Sequence, residues 1–432
     1  MKMKNINNKQ NKSIMKKSMI LAAVAALALA SCAKVETIKN DTPAAIGFSV
    51  YAGKAAATKA VSGTDFGTIT NTELQASTNG FGVFGYYTDA ADYASNTKAN
   101  FMYNQKVTYS GGAWTYSPLK YWPNEHGASA VSTDTDKLTF LAYAPFVANN
   151  AIATDKGVSI TDKTGSAAAD EGIIAMTANN VAADATLTFK VPASSEEQID
   201  LLYGVLAATY VDVEGNTIGT VGNPLENLTK QKTDGKISIL FKHALAKIAI
   251  DIKEVVDAEN PVTTINPVSD GTKVVVKSVK LKGTAIGSQG DLNLYTGAWG
   301  NLTTATEFTV APLPAAITVD AAPTAYPSIA GVDEDGLDKT IDLMLIPGPA
   351  SEITGVEIVY YVCTEDAQLD GGVSVVENKI SKDFATPLAI AKGKQYGLNL
   401  LLGITSIDLT ATVEAWDVIT PATDVDLPQN VD

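Results

Sequence analysis

The sequence predicts an all-β protein built of antiparallel sandwich layers, and three observations carry that reading. Apolar and polar residues alternate over short runs, the period of a strand with one buried face. Turn-forming residues separate the runs at close intervals, as at Ser110-Gly111-Gly112. The runs also do not alternate with long helical patterns, as βαβ units would require.

Taken in order, residues 1–17 are basic and polar, Met19–Ala30 is apolar, and Ser31 leads to Cys32. A charged stretch followed by so short an apolar run is a secretory signal, not a membrane-spanning helix. Leu29-Ala30-Ser31-Cys32 resembles the lipobox of bacterial lipoproteins, where the chain is cut before the cysteine and its thiol takes a diacylglycerol. That resemblance implies a signal peptide over 1–31 and lipidation at Cys32; an ordinary signal peptide with a coincidental cysteine is the alternative. Translation could begin at Met1 or at Met15, the latter opening Met15-Lys-Lys-Ser-Met19.

The chain has 2 cysteines, so with Cys32 lipidated only Cys363 remains and no internal disulfide is expected. Burial must then hold the fold. A mature chain of about 400 residues exceeds what one core serves, and two domains are expected. The net charge of −15 excludes nucleic acid and anionic membrane surfaces as partners, and arginine is absent altogether. No segment beyond the signal is long and apolar enough to span a membrane as a helix.

Ile46, Phe48 and Val50 alternate with Gly47, Ser49 and Tyr51, a strand with one buried face. A stretch of small residues around Lys54 and Lys59 follows. Further strands are expected at 81–84, 104–109, 114–116, 137–143, 185–191, 236–241, 246–252, 273–281, 340–345, 356–362, 396–401 and 409–413. Short helices are expected near 224–230 and 244–247. The polar stretch Lys230–Gly235 is the expected boundary, giving an N-terminal domain over 60–235 and a C-terminal domain over 236–432.

Residues for chemistry are sparse. Gly80-Phe-Gly-Val-Phe-Gly85 matches a dinucleotide-loop pattern, but that motif needs a helix opening inside it, and here the glycines lie in an aromatic strand. Asp333-Glu334-Asp335-Gly336 with Asp338 lacks the spacing of an EF-hand and reads as a solvated turn. Asp134 with Asp136, and Glu196 and Glu197 with Asp200, are carboxylate groupings that a glycosidase could use, or loop residues in an acidic chain. The 2 histidines, His126 and His243, have no partner at zinc-ligand spacing, and His243 reads as structural at a strand end. No G-x-S-x-G elbow occurs, and Cys363 sits in a strand-like run as an inert thiol would. The expectation is therefore no catalytic residues, no metal, no cofactor and no enzyme. Trp114, Tyr116, Tyr121 and Trp122 either stack on sugar rings from an exposed face or fill the first domain's core.

In order, the segments Tyr121-Trp-Pro-Asn124, Phe140-Leu-Ala-Tyr-Ala-Pro145, Asp200-Leu-Leu-Tyr-Gly204, Phe241-Lys-His-Ala-Leu-Ala-Lys-Ile248, Leu343-Met-Leu-Ile-Pro-Gly348, Gly393-Lys-Gln-Tyr396 and Val413-Glu-Ala-Trp416 resemble the fimbrillin family of Bacteroidales. The resemblance spans essentially the whole mature chain. It implies two tandem transthyretin-like β-sandwich domains and an outer-membrane lipoprotein precursor, trimmed at the cell surface to a fimbrial subunit. It also implies that a trypsin-like protease removes the first strand and that a strand from the next subunit fills the groove. Here Ile46–Tyr51 would be the removable strand, within an N-terminal segment 32–59 lost on maturation, and Lys59-Ala60 the cut. The family usually presents arginine at that point, so a lysine-tolerant protease is implied. The strand could instead stay, as in a lipid-retaining anchor subunit.

After Trp416 the tail 417–432 reads DVITPATDVDLPQNVD. Val418, Val425 and Leu427 are apolar among acids and prolines, and the segment reads as a strand awaiting a groove. Two functions follow: a structural subunit that polymerises with other fimbrial subunits, or a surface glycan-binding or adhesive lipoprotein.

Overall fold

In a computed structural model, the described residues are 45–52, 69–123, 136–148, 171–178, 180–192, 198–211, 217–233, 235–254, 272–310, 341–370, 372–402 and 407–416. The signal, the lipobox, Lys54, Lys59, Ala60 and the tail with Val418, Val425 and Leu427 lie outside them.

The fold is all-β. The strands are β1 (Gly47–Tyr51), β2 (Phe81–Asp89), β3 (Met102–Ser110), β4 (Ala113–Thr115), β5 (Lys137–Ala144), β6 (Gly172–Met176), β7 (Thr186–Lys190), β8 (Leu202–Leu206), β9 (Tyr210–Val211), β10 (Thr217–Gly219), β11 (Leu225–Leu228) and β12 (Lys236–His243). They continue as β13 (Ala246–Glu254), β14 (Thr272–Asn293), β15 (Trp299–Val310), β16 (Ile341–Leu345), β17 (Glu352–Glu365), β18 (Val373–Ala389), β19 (Lys394–Leu402) and β20 (Ile407–Ala415).

An eight-stranded sheet runs β1-β12-β8-β5-β2-β3-β4, with β11 also paired to β5. A four-stranded sheet runs β16-β13-β19-β20 and a six-stranded sheet β18-β17-β14-β7-β6, with β15 on β14; β9 and β10 form a small pair. The four- and six-stranded sheets close over one apolar layer. Ile248, Ile250, Leu343, Leu345, Leu398 and Leu400 from the first meet Val279, Leu281, Val356 and Ile358 from the second. Each such side chain contributes about 1.5–3 kcal/mol on burial, which makes this layer the main support of the sandwich.

Several expectations change. Pairing is mostly antiparallel, but β1 runs parallel to β12 and β13 parallel to β19. The expected boundary after Gly235 assigns β12 to the strands that follow it, whereas its hydrogen-bonded neighbours are β8 and β1. Conversely, β7 pairs with β14. The segment expected as a helix near 224–230 contains β11, because Leu225 and Leu228 lie opposite Phe140 and Leu138 of β5. The one expected near 244–247 is a tight connection into β13, with the Ala244 amide donating to the Leu201 carbonyl at 2.8 Å.

The helices are α1 (Asn71–Ala76) and α2 (Lys230–Thr233). α1 begins at Thr70, whose hydroxyl accepts from the Glu73 amide while the Glu73 carboxylate accepts from the Thr70 amide, a capping box.

Candidate functional site

The site is the seat of β1. Ile46, Phe48, Val50 and Ala52 point inward and are buried, while Gly47, Ser49 and Tyr51 are half-buried on the outer face. Alternation of this kind lets a short strand be held by side-chain pockets on one face and by main-chain bonds along one edge. Phe48 is the centre of the grip. Its ring meets Phe81 at 5.8 Å, Tyr116 at 5.6 Å and Phe140 at 6.3 Å, all edge-to-face.

The ladder runs in register from Gly47 opposite Lys236 to Tyr51 opposite Leu240. At its start, the Gly47 amide donates to the Gly235 carbonyl at 3.4 Å. The neighbouring Ile46 faces the other way: its amide donates to the Lys120 carbonyl at 2.9 Å and its carbonyl accepts from the Tyr116 hydroxyl at 2.9 Å. Ala45 bridges Tyr121 on the same side. The β1 edge thus meets the chain leaving β4, at the opposite end of the same sheet, and the sheet curls closed around Phe48.

The sequence reading missed Tyr116, Lys120 and Gly235 as parts of this seat, since nothing local links them to residue 46. Burial raises the Tyr116 phenol pKa, and its hydroxyl donates to the Ile46 carbonyl.

Several of the other singled-out residues in the described set are packed. Gly80 has φ of +59°, and a Cβ there would fall 2.0 Å from the Val107 carbonyl oxygen. A Cβ at Gly82 would fall 2.3 Å from the Tyr143 ring. These glycines open β2 for close neighbours; no helix opens inside the motif. Trp122 and Tyr116 are buried, Trp114 packs on Phe81 at 5.1 Å, and Tyr121 is 48% exposed. Asp136 accepts from the Tyr87 hydroxyl at 2.9 Å. Desolvation, then the Asp136 carboxylate, push the Tyr87 phenol up to about 12. Asp134, Glu196, Glu197, His126, 333–338 and the Cys363 side chain lie outside the described set. Among the described residues, no group of three His, Cys, Asp or Glu could hold a metal ion.

A family model described as fimbrillin-like matches residues 58–416. This chain belongs to the fimbrillin-like family. It is 27% identical over 237 residues to the fimbrium subunit Fim1C of Phocaeicola vulgatus. The match covers 53% of this chain and 49% of that one, so the chain spans about half the length of this curated relative. The crystal structure of a fimbrial protein from Bacteroides vulgatus shares the fold, with a TM-score of 0.57 at 22% identity, over 86% of this chain and 99% of that one.

In this fimbrillin-like chain three of the quoted segments meet at one buried point. His243 ends β12, and its Nδ1 lies 2.6 Å from Asp200 Oδ2. The same carboxylate oxygen accepts from the Ile69 amide at 3.3 Å. The imidazole stacks on the Trp416 indole, with centroids 4.0 Å apart and planes 5° from parallel. His243 thus ends β12 inside a buried cluster whose hub is Asp200, itself 0% exposed.

Proposed function

We propose that this chain is a structural subunit of a cell-surface fimbria, joined to its neighbours by replacement of β1. The observation that carries the reading is the seat itself. A strand of five residues is held by the inward Phe48 and Val50, by the buried Ile46 and Ala52 at its two ends and by one parallel ladder, and its covalent continuation toward Ile69 is the lysine-bearing stretch 53–68. Cutting that stretch frees a strand whose site then presents apolar pockets and an unpaired edge, which a strand from another subunit would satisfy by β-augmentation.

In this reading the precursor reaches the outer membrane through a lipid on Cys32. A lysine-tolerant trypsin-like protease then cuts between Lys59 and Ala60, and the tail with Val418, Val425 and Leu427 supplies the donor. The partners are other fimbrial subunits, with no role for nucleic acid. Two tandem sandwich domains would give the subunit the length of a stalk unit.

Three measurements test this. A fatty-acid analogue should label the wild-type chain and not Cys32→Ala; equal labelling of both removes the lipid anchor. Deleting 417–432 should leave a folded monomer that no longer elongates into detergent-resistant polymers. Fibres from the deleted protein would mean that another segment is the donor. If the wild-type N-terminus recovered from cells begins at Cys32 and β1 stays in place, the chain is an anchor subunit.

A further inference from the structure

We infer that the donor segment is Thr423–Gln429 of a second copy, and that it enters antiparallel to β12, opposite in direction to the β1 it replaces. The inference rests on the reading that β1 is exchanged for the tail.

The starting point is which way each β1 amide faces. Gly47 turns its amide to Gly235, ahead of β12, whereas Ile46 turns both amide and carbonyl to the 116–120 side. Successive residues alternate, so Gly47, Ser49 and Tyr51 bond β12, and the inward residues Ile46, Phe48, Val50 and Ala52 face away from it. In a parallel occupant, the residues whose side chains point outward therefore need their N–H groups. Reversing the strand while keeping the same face buried exchanges the two edges, so an antiparallel occupant bonds β12 through its inward residues.

The tail carries two prolines, Pro421 and Pro428, and its apolar residues fall in two phases. Val425 and Leu427 share the odd phase with Ile419, Thr423 and Gln429, and a strand of period two cannot bury Val418 with them. Val418 therefore drops out of the donor set. Two placements remain for Val425 and Leu427 in the two central positions, those of Phe48 and Val50.

Entered parallel, Val425 replaces Phe48, Leu427 replaces Val50 and Pro428 stands where Tyr51 bonds β12, with no N–H to give. Entered antiparallel, Thr423 replaces Ala52, Val425 replaces Val50, Leu427 replaces Phe48 and Gln429 replaces Ile46 at the end of the inward set. The largest donor side chain then takes the largest vacated position, and valine replaces valine. Pro428 takes the place of Gly47, with its side chain outward and its nitrogen turned from β12. All four odd residues, Thr423, Val425, Leu427 and Gln429, keep an N–H for the ladder. Side-chain size and proline placement agree on this orientation.

The experiment uses the Cys32→Ser, Cys363→Ser chain cut in the 53–68 stretch, with synthetic peptides of residues 417–432 competing for the seat. Methylating the backbone nitrogen of Val425 removes an N–H without touching the side chain. It should weaken binding about tenfold or more, the cost of one lost ladder bond, while the same change at Asp426 should alter it by less than about threefold. A peptide bearing Asp424→Cys should form a disulfide with an acceptor carrying Leu240→Cys, the residue opposite Tyr51, and not with Lys236→Cys, opposite Gly47. The peptide series needs no acceptor mutation, so it stands even if Leu240→Cys does not fold. The reversed pattern, with sensitivity at Asp426 and a disulfide to Lys236→Cys, overturns the orientation while leaving exchange intact. If the unmodified peptide does not bind at all, the tail is not the donor and the inference falls with that reading.

Discussion

Trp416→Ala is expected to destabilise the folded chain by about 3–5 kcal/mol, the cost of truncating a well-packed aromatic. The indole is 2% exposed and covers the His243 ring face to face. Its Nε1 makes no hydrogen bond among the described residues, so the loss is packing and not a broken polar contact. The neighbourhood cannot collapse freely to fill the gap. His243 is pinned by Asp200, Asp200 by the Ile69 amide, and the Trp416 backbone by the Gly393 carbonyl at 3.2 Å. Trp416→Phe keeps a ring over the imidazole and should lose less than half as much. Denaturant midpoints at unchanged slope read both values. A midpoint that barely moves for the alanine variant would show that the indole is solvent-exposed, and a glycan-stacking role for the aromatics would gain.

Much of this was legible in the sequence where a face is buried on one side only. The alternation at 46–51 predicts the inward set of β1 residue by residue, whereas the aromatic block at 114–122 leaves two readings open, of which Trp122 takes the buried one while Tyr121 stays exposed. Pairing partners were not legible. Alternation states which face is buried but not which strand lies alongside, so the parallel match of β1 to β12, far along the chain, has no local trace. Leu225 and Leu228 show why the helix reading failed: a spacing of three fits a helix turn as well as an irregular strand, and only β5 decides between them. β18 escaped notice because its polar residues stand on both faces. Glu377 pairs with Lys277 at 2.7 Å, Asp383 with Lys282 at 2.7 Å and Lys379 with Glu357 at 2.8 Å. Such charge pairs line the outer face of a sheet edge whose Ile380, Phe384 and Leu388 pack against the core on the other face.

Phe48→Ala is the second large effect, and it separates the two ways in which β1 is held. In the uncut chain it should cost about 3–5 kcal/mol, because the ring joins Phe81, Tyr116 and Phe140 in one edge-to-face cluster and each such pair adds about 0.5–1.5 kcal/mol to simple burial. Once the 53–68 stretch is cut, no covalent bond returns β1 to its seat, so the same deficit falls on retention of the strand. Wild-type protein cut by trypsin should keep the β1 fragment through gel filtration, whereas the Phe48→Ala fragment should leave about a hundredfold faster or more, as a loss of this size implies. Ser49→Ala, on the outer face, removes no inward side chain and leaves the ladder with β12 intact; it should retain the fragment as wild type does. Native mass spectrometry of the cut protein over time gives all three rates. Equal retention in the Phe48 variant would mean that main-chain bonds alone hold the strand. Donor choice could not then depend on which side chains fill positions 48 and 50, and only the pattern of N–H groups along the incoming strand would select it.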